Sequence, residues 1–116
     1  MVLKQYKQAI HHVFETLKSH HALMPTGIER QFILDDENGH YQILDVGWES
    51  QKFIHDIMVH IDIKQDFIWL QADNTDYGIA EALLEQGIPK NRIVLGFHAP
   101  FKRKFTGFAT GQELPA

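Results

Sequence analysis

Three groups of residues in this 116-residue chain could do chemistry. His60 and Asp62 stand two apart in VHIDIK, so a strand sends both to one face, where imidazole and carboxylate can ligate a hard or borderline metal ion. Alternation assigns Asp56 and Lys64 to the same face. No second ligand pair stands at a diagnostic spacing, and Ile54 and Met58 interrupt the face, so a solvated strand surface explains the same residues. Asp45 with Asp62-Ile63-Lys64 resembles the acid plus acid-x-Lys spacing of restriction-type nucleases, in which carboxylates hold magnesium and lysine orients water. Two features oppose that reading. A symmetric register about residues 49–51 sets Asp45 opposite His55 on the apolar side, away from Asp62, and Lys64 runs straight into a turn. The third group is His98-Ala99-Pro100-Phe101-Lys102-Arg103-Lys104-Phe105, which mixes three adjacent cations with aromatics. Such a stretch suits phosphates and bases or an acidic protein partner, and equally a solvated basic turn with its phenylalanines in the core.

The rest of the catalytic inventory is thin. The chain has no cysteine, no G-x-S-x-G nucleophile motif and no glycine-rich phosphate loop. Neighbours on a helix diverge, so His11-His12 and His20-His21 do not chelate as pairs and read as surface.

The elements that must position these groups follow from periodicity. Leu3, Tyr6, Ile10, Val13, Phe14 and Leu17 mark an amphipathic helix over about residues 3–20, ended by Pro25 and Gly27. Ile28 to Asp35 alternates as a strand. Asn38-Gly39 predicts a type I′ hairpin, and His40 to Trp48 is the return strand. Gly47 within it predicts a bulge or a close backbone approach. Lys52 to Asp73 forms the central hairpin. Alternation there sets Phe53, His55, Ile57, Val59, Ile61 and Ile63 on one side of the first arm. Asp73 to Asp76 is rich in helix N-cap residues, Tyr77 to Leu84 is a short helical face, and Gly87 and Pro89 close it. Arg92 to Phe97 reads as a short fifth strand, followed by an aromatic and basic turn. The expected fold is one α+β domain, residues 1–116: N-terminal helix, four-stranded antiparallel meander, second helix, fifth strand and C-terminal turn.

Charge distribution says more than its sum. The net charge is −4, yet between Gln86 and Gln112 there is no acidic residue, while Lys90, Arg92, Lys102, Arg103 and Lys104 all lie there. No apolar run reaches the roughly 18 residues of a membrane span. The absence of cysteine excludes disulfides and fits the cytoplasm. No cofactor is indicated. Apolar residues occur on both sides of the central hairpin, and two modest helices cover one sheet face only, so a homodimer is expected.

HYQILDVGW, the strand ending HIDIK, FIWLQADNTDYGIAEALLEQGIP and IVLGFHAPFKRKFTGFATG together resemble the fdxN-element excision controlling factor family, the XisI-like proteins. The likeness runs in order from the Tyr6-Lys7 helix to Gly111. It implies a cyanobacterial-type accessory factor that acts with a recombinase and a companion excision protein in programmed DNA excision. It carries over no catalytic residue. Three functions stand at this point: an accessory protein using Lys102, Arg103 and Lys104 with His98, Arg92 and Lys90; a nuclease using Asp45, Asp62 and Lys64; and a small-ligand-binding domain.

Overall fold

The computed structural model describes residues 2–20 and 24–112, so His21 lies outside the described residues. Helix α1 (Val2–Lys18) precedes strands β1 (Ile28–Asp35), β2 (His40–Glu49), β3 (Lys52–Lys64) and β4 (Phe67–Asp73). Helix α2 (Ile79–Glu85), a 3-10 turn (Lys90–Arg92), β5 (Ile93–Leu95) and the short α3 (Pro100–Arg103) complete the fold. The sheet order is β1-β2-β3-β4-β5, antiparallel except that β5 runs parallel to β4. A parallel neighbour needs a crossover, and α2 supplies it. The architecture is α+β, with a mixed five-stranded sheet whose fifth strand is shorter than the Arg92–Phe97 run suggested.

The apolar stripe of α1 decides which sheet face becomes the core. Tyr6, Ile10, Val13, Phe14 and Leu17 pack with Ile79 and Leu83 of α2 against Tyr41, Ile43, Val59, Ile61, Ile68 and Leu70. Each such side chain contributes about 1.5–3 kcal/mol when fully buried. This helix-covered face is the near face; the opposite one is the far face.

A bulge in β3 overturns the simple alternation of the central hairpin. Ile43 pairs with Val59 but Leu44 with Ile57, leaving Met58 as the extra residue. One inserted residue exchanges faces for everything beyond it. Val59, Ile61 and Ile63 therefore meet the helices with Met58, whereas Phe53 and Ile57 emerge on the far face, 52% and 43% exposed. Asp56, expected beside Asp62, goes to the near face. The same shift pairs Asp45 with Asp56 rather than His55.

Turn chemistry also departs from expectation. Asn38-Gly39 ends a four-residue loop, with only Gly39 at positive φ, and the Asp35 carboxylate accepts from the Asn38 N–H at 3.1 Å. The hairpin with both central residues at positive φ is Gln65-Asp66, between paired Lys64 and Phe67. There the Tyr6 hydroxyl donates to the Asp66 carbonyl at 2.7 Å, tying the turn to α1. Gly47 is a close approach: a Cβ there would lie 2.0 Å from the Gly27 carbonyl oxygen, which accepts from the Trp48 N–H at 3.1 Å. The start of α2 is held by Asp73, whose carboxylate accepts from the Ile79 N–H at 2.9 Å.

Candidate functional site

Asp45 and Asp62 end up on opposite faces of the sheet. Asp45 is buried on the near face, where Arg30 donates two hydrogen bonds to it at 2.7 and 2.8 Å. The pair is structural. Sequence reasoning missed Arg30, though the signal was there: an arginine among Ile28, Phe32 and Leu34 demands an acid on the adjoining apolar row, and Asp45 pairs with it across the strands.

Asp62 is the centre of a far-face network. Its Oδ1 faces His40 Nδ1 at 2.7 Å and His60 Nε2 at 3.0 Å, and its Oδ2 accepts from Gln71 Nε2 at 3.2 Å. Burial works against its ionisation, but the hydrogen bonds from His40, Gln71 and His60 outweigh it and hold the carboxyl below its usual range. His60 and Asp62 thus meet as the sequence suggested, but as a hydrogen-bonded pair. Among the described residues, no group of three His, Asp or Glu side chains is arranged to hold a metal ion. Lys64 is turned away over the Trp69 ring, 4.2 Å from its centroid. The three groups of the nuclease reading do not converge.

A small-ligand site fares little better. The cleft between α1 and the turn after α2, about 570 Å³, is lined by Gln5, Gln8, His12, Gln86 and Arg92 around Tyr6, Ile88 and Pro89. Its lining is about half polar, with three amides, an imidazole and a guanidinium, whereas ligand pockets are mainly apolar with a few convergent polar groups.

The basic C-terminal stretch folds over the far face at β4 and β5. Phe67, Trp69, Val94 and Ala109 form a second, smaller apolar cluster there. Arg103 is an anchor: Nε donates to the His98 carbonyl at 3.0 Å and Nη2 to the Gly96 carbonyl at 3.2 Å, with the guanidinium 5.3 Å from the Trp69 ring centroid. Lys90 lies over Phe108, and Arg92 over Phe67. Of the two readings of this stretch, the one that tucks its phenylalanines into the core does not hold for Phe101 and Phe105, which are 70% and 78% exposed. Lys102 and Lys104 lie over these two rings, and Phe97 and His98 contact one another at 4.8 Å beside them. Among the described residues, no ion pair joins any of the five cations to a carboxylate. The result is a cationic surface with exposed aromatic rings, held by Arg103 and Trp69. Trp69 was unmarked in the sequence because the segment that covers it, from Arg103 to Gly111, lies 34 to 42 residues later.

The sequence profile of the XisI protein family matches residues 2–110 of the chain. Among solved structures, a XisI-like protein from Anabaena variabilis ATCC 29413 is 37% identical, with 92% of this chain and 97% of that chain covered and a TM-score of 0.85. The fdxN element excision controlling factor XisI from the same strain is 30% identical, with 95% and 99% covered and a TM-score of 0.83. Comparison with curated proteins returned no match. Among the described residues, no helix is long and apolar enough to cross a membrane.

Proposed function

The chain belongs to the XisI family, and on that premise we propose that it is a non-enzymatic accessory factor in the control of DNA-element excision. The relative named as the fdxN element excision controlling factor supplies the process. In this reading the chain works in the cytoplasm as a homodimer, with a companion excision protein and a recombinase as the partners that the family implies. One observation carries the mode of action: five cations, none of them ion-paired with a carboxylate among the described residues, are gathered in one acid-free stretch of a chain whose net charge is −4.

A negative body opposes free DNA, because phosphate binding draws its strength from neutralising many charges at once. The same cationic surface is attracted to an acidic protein, and DNA is then contacted inside that complex. Exposed Phe101 and Phe105 add apolar anchors of the kind that dominate protein interfaces. Arg103 is committed to backbone carbonyls, so Lys102 and Lys104 are the contacting cations and Arg103 positions them. His98, Lys90 and Arg92 flank this surface.

The test is co-purification of the tagged chain with the companion excision protein, with and without element-end DNA. Complex formation without DNA, and DNA retention only when both proteins are present, is the expected result. Tight DNA binding by the chain alone, or no association in either condition, would overturn the reading.

A further inference from the structure

We propose that the far face of β1–β3, at the end bearing Trp48 and Phe53, is where a second copy of this chain docks. This rests on the homodimer reading above and names its surface. Trp48, Phe53, Ile57 and Ile33 are 58%, 52%, 43% and 46% exposed, with Leu44 and Val46 half-buried between them. Register places them together: Trp48 pairs with Phe53, Leu44 with Ile57 and Val46 with His55, while Ile33 lies one strand over against Gln42. Exposed apolar groups contiguous over three strands are uncommon on a monomer. The chain is also elongated, with extents of 48 × 30 × 24 Å. The radius of gyration is 14.9 Å, against about 13 Å for a compact domain of this length.

Charge selects a second copy over a charged partner. The cationic C-terminal surface lies at the other end of the sheet, and the patch itself holds no lysine or arginine. Its ionisable neighbours on that face include Glu29 and His55, which lie on either side of Val46 in one cross-strand row, and His60, which closes the row of Ile33 and Gln42. A two-fold axis parallel to the strands and passing over β2 exchanges β1 with β3. It therefore sets Glu29 of each copy against His55 of the other, twice, around a shared apolar centre. Three strands about 4.8 Å apart and roughly ten residues long present on the order of 500 Å² of projected face. With the relief of two protruding aromatic rings, this approaches the ~800 Å² per partner of an ordinary stable interface.

Sedimentation velocity over a micromolar concentration range tests this on the full chain, with circular dichroism as the folding control. Wild type is expected to sediment as a dimer, and Trp48→Ser/Ile57→Ser to weaken dimerisation at least roughly hundredfold, because central aromatic and aliphatic anchors carry most interface energy. Glu29→Lys should weaken it about tenfold, and adding His55→Glu should recover it. A dimer untouched by the apolar variant overturns this surface while leaving dimerisation standing. A wild-type monomer overturns both. Failure of the charge swap to recover association overturns the strand-parallel axis. If the folded apolar variant instead loses the companion protein from a monomeric chain, the face belongs to that partner and not to a second copy.

Discussion

At β4 and β5 the chain covers the far face of its sheet with its own C-terminal segment, whereas across β1 to β3 the same face carries Trp48, Phe53 and Ile57 into solvent. The two regions hold comparable residues: Trp69 at one end is 8% exposed, Trp48 at the other 58%. What differs is the supply of covering chain. Arg103 reaches back over Trp69 and Gly111 sits against its ring, so close that a Cβ there would meet the indole at 2.4 Å. No described segment does the same for Trp48. Apolar composition therefore marks a surface that must be covered, and topology decides whether the cover comes from the same chain.

The sharpest way to break this comparison is to truncate both tryptophans. Trp69→Ala should cost about 3–5 kcal/mol in urea unfolding, since it empties the centre of a packed cluster. Trp48→Ala should cost below about 1 kcal/mol at dilutions where the chain is monomeric, because an exposed ring loses little burial. Equal costs would contradict the account.

Next in size is the near face. Asp45→Ala leaves Arg30 without its bidentate partner at a site where both side chains are largely buried, and should destabilise the fold by about 3 kcal/mol. Removing both charges, as Arg30→Met with Asp45→Leu, should restore much of that loss. Urea midpoints of the three variants decide it.

A smaller effect belongs to the far-face network. The Asp62 carboxyl lies below its unfolded value of 3.8 in the folded state, so it stabilises the fold above that pH. This contribution is lost as pH falls through the folded value. Asp62→Asn should flatten the stability profile below about pH 4, where its ionisation has already been removed. An unchanged acid limb in equilibrium unfolding would place the acid sensitivity elsewhere, for instance at Asp36, which Tyr41 and His11 also hold below its usual range.

How far the sequence foretold this depends on whether a feature is periodic or local to one residue. The α1 stripe, the order of strands and the C-cap near Gly87 were legible because each repeats or occupies a position that few residues suit. The far face was not, because a single extra residue, Met58, exchanges the sides of Phe53 and Val59, and nothing in an isoleucine-rich run announces where a bulge falls. The positive-φ hairpin at Gln65-Asp66 was equally hidden, since its support is tertiary: Tyr6, sixty residues earlier, holds the Asp66 carbonyl. At the basic stretch, composition disclosed the cations but not their division of labour. That Arg103 anchors while Lys102 and Lys104 face solvent depends on the carbonyls of Gly96 and His98.

The smallest expected effect on stability tests the functional claim most directly. Lys102→Ser/Lys104→Ser should change unfolding by less than about 0.5 kcal/mol, because both side chains are exposed and, among the described residues, pair with no carboxylate. Titrating wild type and this variant against the companion excision protein, at low and at physiological salt, measures what those charges do. The account predicts that wild-type affinity falls as salt rises, and that the variant binds more weakly with a shallower salt dependence, the gap being widest at low salt. A folded variant that binds its companion with wild-type affinity and wild-type salt dependence would contradict it.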